Sequence, residues 1–125
     1  MIDLALVMIG GAVGSGLRYG VGLVLPHSLG TFPWSTLVVN VVGSFILGAL
    51  VGSSMVSASI SRPALLLLGT GLCGGFTTYS AFAVESALLA QEGQFSTLAI
   101  YTTTTLVCCG AASLAGLFAP RLLSH

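Results

Sequence analysis

The chain has 125 residues, of which 55% are hydrophobic, with only three Lys+Arg, three Asp+Glu and a formal net charge of zero; its mean hydropathy is +1.08. A soluble domain needs more charge than this to cover its surface, and the absence of any basic run argues against nucleic acid as a partner. At about 20 apolar residues per crossing, the length predicts an all-α membrane protein of four transmembrane helices in a single domain spanning 1–125, with no extramembrane domain and the lipid bilayer as its main partner.

The first apolar stretch, 4–25, lacks a basic leading region and a convincing cleavage site before Arg18, so it is expected to be a permanent span rather than a signal peptide. It carries two small-xxx-small spacings, Gly10/Gly14 and Gly16/Gly20, which let helices approach closely whether within one subunit or between two. Arg18 follows Gly14 by one turn. As one of three cations it suits two roles, drawing anions toward a vestibule or anchoring the helix end by snorkelling. A connection holding Pro26, His27 and Pro33 leads to the second span, 34–56. Here Asn40, an amide that is costly in hydrocarbon unless partnered, precedes Gly43, Ser44 and Gly48, and Gly48/Gly52 repeat the small-residue spacing.

A connection over 57–63 introduces the third span, 64–90, and its centre is the most informative part of the chain. Gly71, Gly74 and Gly75 are followed by Thr77 and Thr78, all poor helix formers. A helix interrupted at mid-membrane depth is tolerated only where the freed backbone faces protein or a water-filled cavity. Such a break offers carbonyls to a cation, and amides and a helix N-terminus to an anion; an unbroken helix with glycines for tight packing is the alternative. Beyond it, Tyr79 and Phe82 share a helix face, and the positive edge of an aromatic ring suits a partly dehydrated anion, although such a pair more often simply packs. Glu85, a further turn on, suits reaching the membrane interface, with a buried gating or partner-binding role as the alternative.

After polar residues 91–94 the fourth span, 96–119, carries Tyr101, Thr105 and Cys109 at helical spacing, with Thr102, Thr103 and Thr104 between. With Asn40 and Ser44 these form an uncharged, donor-rich stripe. Such donors can replace water around an anion without the trapping that a buried Lys or Arg would cause, though an isolated Thr by default bonds back to its own helix. Cys73, Cys108 and Cys109 lie in apolar segments without metal-ligand spacing, and read as small packing residues. With four spans, Arg62 and Arg121 fall on one side and Arg18 near the other. That positive-inside bias is weak, leaving one fixed orientation and a dual-topology antiparallel homodimer both open.

Three segments then coincide: GGAVGSGLRY (10–19), TLVVNVVGSFILG (36–48) and GLCGGFTTYSAF (71–82). Together they resemble the Fluc family of fluoride channels, also called CrcB proteins, over the whole chain. The resemblance implies an antiparallel, dual-topology homodimer in the bacterial cytoplasmic (inner) membrane that exports fluoride and so relieves its toxicity. It also implies two pores and a structural Na+ held at the dimer centre by backbone carbonyls of the broken third helix. Carried onto this chain, the metal site falls at Gly74 and Thr77. The anion pore falls at Asn40, Tyr79, Phe82, Tyr101 and Thr105, and the vestibule arginine is Arg18. Tyr79 departs from the family pattern, which has phenylalanine there.

The closest rival is a small four-helix proton-coupled multidrug transporter, which needs a mid-membrane carboxylate in its first helix; here that helix has only Asp3, at its start. A scaffold held together by glycine packing gives no reason for Asn40, the Gly-Thr segment and the aromatic pair to occur together. No catalytic dyad or metal cluster supports an enzyme.

Overall fold

A computed structural model describes residues 1–26, 28, 30–56 and 60–124. His27 and residues 57–59, within the first two predicted connections, lie outside the described residues. The described residues are helical with no strand, and four helices are long and apolar enough to cross a membrane. Helix α1 is Ile2–Val24 and α2 is Trp34–Val56. The third span, Arg62–Gln91, is composite: α3 (Arg62–Ala64), a π-helical segment (Leu65–Cys73), α4 (Gly74–Phe76) and, past two extended residues, α5 (Tyr79–Gln91). The fourth is α6 (Phe95–Leu123). It continues beyond residue 119 and takes in Pro120 in its last turn.

Local chemistry sets the ends. Ser61 caps α3 by accepting the Ala64 amide at 3.4 Å, with Pro63 in the first turn. At the end of α5, Gln94 N–H donates to Leu89 O at 2.8 Å and Gly93 N–H to Ala90 O at 3.1 Å. This C-terminal pattern requires a left-handed residue, supplied by Gly93 at φ 73°.

The spans associate as two pairs held by glycine backbones. A Cβ on Gly10 or Gly14 of α1 would overlap the Leu67 or Leu72 carbonyl of the third span, and one on Gly75 would overlap Gly11 O. In the second pair, Gly48 and Gly52 of α2 lie on the Ser113 and Leu117 carbonyls of α6, and Gly116 lies on Phe45 O. The Gly10/Gly14 and Gly48/Gly52 spacings thus serve contacts inside one chain. Gly16 and Gly20 have no heavy atom within 4 Å of where a Cβ would sit. The π-helical segment lies against α1 in this zone of backbone contact, and wide turns of that kind are frequent at functional sites.

Side-chain packing between the pairs is concentrated at one end. Leu37, Leu89 and Tyr101 form a buried cluster against which Phe32, Val41, Phe82 and Leu98 pack. Val39, Cys73 and Phe76 are also buried, whereas many other large apolar side chains face outward, among them Leu17, Leu106, Val107 and Leu114, as expected when the surrounding solvent is hydrocarbon.

Candidate functional site

Everything at the site follows from how the third span stops being a helix. Thr77 (φ −81°, ψ 159°) and Thr78 (φ −152°, ψ 118°) are extended. The upstream helix is closed by Thr77, whose amide and hydroxyl both donate to Cys73 O at 2.9 Å. In a continuous helix the Thr78 amide would bond to Gly74 O. Instead it donates to Asn40 Oδ1 at 2.7 Å, and Asn40 Nδ2 donates to Thr78 O at 3.0 Å. One side-chain amide from α2 therefore satisfies both backbone groups of a residue that has left its helix. Thr78 in turn caps α5, its hydroxyl accepting the Ala81 amide at 3.2 Å. The Ala81 amide is the group that Thr77 O would have met in a continuous helix. The helical donors of Gly74 O and Thr77 O are thus bonded elsewhere.

A groove of about 520 Å³ opens beside the break, lined by Asn40, Ser44, Thr77, Tyr79, Phe82, Thr105 and Cys109 among others. Five of the predicted site residues, Asn40, Thr77, Tyr79, Phe82 and Thr105, meet there. The rings of Tyr79 and Phe82 are 5.8 Å apart and tilted by 45°. Asn40 has two amide hydrogens, so its bond to Thr78 O leaves one for a ligand. The Thr105 hydroxyl is buried with no hydrogen-bond partner among the described residues. Thr102, by contrast, bonds back to Leu98 O at 2.9 Å. Of these two, only Thr105 lines the groove.

Three predicted residues stand apart. Gly74 does not line the groove, and nothing lies within 4 Å of where its Cβ would be. Tyr101 is fully buried behind Phe82, ring to ring at 5.1 Å. Arg18 approaches the break from the α1 side, its Nε donating to Gly75 O at 3.1 Å. There it borders a separate cavity of about 480 Å³ with Ser15, Tyr19, Gly22 and Leu23.

A family model described as CrcB-like protein, Camphor Resistance (CrcB), matches residues 5–117. The chain belongs to the CrcB family. Its similar relatives include the fluoride-specific ion channel FluC of Gloeobacter violaceus, 47% identical over 97% of this chain and 98% of the relative. That of Agrobacterium fabrum is 44% identical over 98% and 99%, and that of Chelativorans sp. is 41% identical over 97% and 98%. Four spanning helices and this family make the chain a multi-pass bacterial membrane protein.

One feature of this CrcB chain was not singled out from its sequence as part of the site. Glu85 accepts hydrogen bonds from the Thr36 hydroxyl at 2.7 Å and the Tyr101 hydroxyl at 2.6 Å. Its carboxyl is half-buried between α2 and α6. The signal was present: an acid inside a membrane span is a functional-site candidate by default. Its partners were not visible, because they lie 49 and 16 residues away.

Proposed function

We propose that the chain is a fluoride channel of the cytoplasmic membrane through which fluoride leaves the cell, and that it works as an antiparallel homodimer. The observation that carries the channel reading is the 47% identity, over nearly the full length of both chains, to a protein named a fluoride-specific ion channel. The groove supplies a mechanism. Fluoride is small and strongly hydrated, and it enters a low-dielectric path only if several groups replace its water together. The free N–H of Asn40, the Thr105 hydroxyl and the edges of the Tyr79 and Phe82 rings provide weak, uncharged contacts that also let the ion go. Tyr101 supports Phe82 from behind and holds Glu85. Arg18, beside its cavity, attracts anions to the entrance.

The dimer is supported by what one chain leaves uncovered. Tyr79 is 79% exposed, the groove opens on the surface, and Gly74 and Gly110 have nothing within 4 Å of an added Cβ. Polar groups at this depth are costly against lipid, and a second copy covers them. The antiparallel arrangement fits the weak orientation signal of Arg62 and Arg121 against Arg18. Arg62, moreover, is paired with Asp3 at 2.8 Å.

Gly74 O and Thr77 O suit the structural Na+. They are uncharged oxygen donors freed from helical bonding, the kind of unwound carbonyl that holds Na+ in broken membrane helices. Bound there, the ion offsets the exposed carbonyl dipoles and joins two copies. The rival multidrug transporter is not favoured, since the acid of α1, Asp3, is half-exposed and ion-paired at the helix start.

Efflux from liposomes, fluoride compared with chloride, tests the function. Fluoride is expected to leave rapidly and chloride to be retained; equal retention of both ions by correctly folded protein overturns the reading.

A further inference from the structure

We infer that Arg18 is a positioning residue for the broken third span, fixing the peptide next to the Gly74 carbonyl, in addition to any attraction it exerts on anions. This rests on the sodium reading above. Helical spacing puts Arg18 one turn beyond Gly14, on the face of α1 that lies in backbone contact with the third span. Its side chain stays at the protein, half-buried, with Nε 3.1 Å from Gly75 O. That carbonyl is another orphan of the break, because its helical donor would be the amide of Tyr79, the first residue of α5.

Five of the carbonyls around the break fall into two sets. Cys73 O is held by Thr77, Thr78 O by Asn40 and Gly75 O by Arg18, whereas the helical donors of Gly74 O and Thr77 O have gone elsewhere. Between the carbonyls of residues 74 and 75 only the two soft dihedrals of Gly75 intervene, and glycine restrains them least of all residues. No side chain can stiffen this position, since a Cβ on Gly75 would overlap Gly11 O. The Thr77 bonds to Cys73 O close the turn upstream, and Arg18 adds the external donor that holds the next peptide, at Gly75 O.

Three substitutions separate the tether from the charge. In Arg18→Gln the amide Nε2 stands the same number of bonds from Cα as the arginine Nε, so a donor remains without charge. Arg18→Lys keeps the charge and moves the donor one bond outward. Arg18→Met keeps the stem with neither. The readouts are dimer stability in detergent as sodium replaces a large organic cation, and backbone hydrogen exchange over residues 74–81. We expect the parent and Arg18→Gln to share one half-stabilising sodium concentration. It should rise about tenfold in Arg18→Met, the usual scale for losing a residue that orients a metal ligand, and exchange should accelerate in Arg18→Met alone of these three.

The inference is overturned if Arg18→Gln and Arg18→Met respond alike in both measurements. Equal behaviour of Arg18→Lys and the parent, with Arg18→Gln resembling Arg18→Met, would assign the residue to charge alone and overturn it too. If no protein responds to sodium, the sodium reading fails and with it the link to a cation. Exchange then decides the tether separately: acceleration in Arg18→Met upholds it, and none overturns it.

Discussion

At the residue scale, Asn40 has two duties that a single substitution separates from the rest of the fold. Its carbonyl accepts the Thr78 amide and its NH₂ both donates to Thr78 O and faces the groove. Asn40→Asp keeps the acceptor and, when ionised, loses both donors, leaving Thr78 O against a carboxylate. Unmet buried groups cost about 1–3 kcal/mol, so fluoride flux in liposomes is expected to fall by at least about fivefold while the protein still elutes as the parent does. Parent-like flux would remove Asn40 from the pathway. For the aromatic pair, Phe82→Ile retains bulk and loses the ring edge, worth about 0.5–1.5 kcal/mol. Flux should slow by about twofold to tenfold. Tyr79→Phe restores the residue usual at that position in the resemblance and keeps the edge, so flux should be unchanged or faster. A Phe82→Ile channel as fast as the parent, together with a slow Tyr79→Phe channel, would reverse the assignment.

At the scale of elements, the glycines predict where side chains are forbidden. Gly14→Ala and Gly48→Ala each drive a methyl into a backbone carbonyl of the neighbouring helix, and backbone can yield only by moving the helix. Overpacking of this kind costs about 1–3 kcal/mol, so thermal stability in detergent should drop clearly for both. Gly16→Ala meets nothing within 4 Å and replaces a poor helix former with the best one, so a single chain should tolerate it. Any loss at Gly16 would report a contact with a second copy. The same elements show what a sequence can and cannot reveal. Apolar length locates the four spans, and Gly74, Gly75, Thr77 and Thr78 mark the break, because both signals are local. The π-helical form of Leu65–Cys73 is not local: it accompanies carbonyl-to-glycine contact with α1, which composition does not encode. Nor can periodicity show that Asn40 clamps Thr78, or that Tyr101 turns from the groove to Glu85. Periodicity assigns a face to each residue, whereas the partner on that face comes from another helix.

At the scale of the whole molecule, the unresolved balance is between a membrane environment and a polar surface. One chain presents Asn40, Ser44, Thr77 and Thr105 in a groove open to its surroundings, and in the proposed dimer a second copy would close it by bringing its own break to meet the first. An antiparallel pair brings mid-membrane elements together at the same depth, because inversion about the bilayer centre leaves the centre in place. The orientation charges are few enough to permit this: Arg62 is held by Asp3, and Arg121 lies 5.3 Å from the Phe118 ring. Lysines added beside Arg62 should bias all chains one way, since basic residues near span ends set topology. Lysines added in the turn at 92–94 should bias them the other way. Each variant alone should then insert uniformly, as read by C-terminal reporters for the two sides, and conduct no fluoride. Co-expression of the two should restore dimers and flux, whereas the unaltered chain should light both reporters in the same cells. Full fluoride flux from either biased variant alone, with its reporter confined to one side, would show that a parallel or monomeric arrangement suffices.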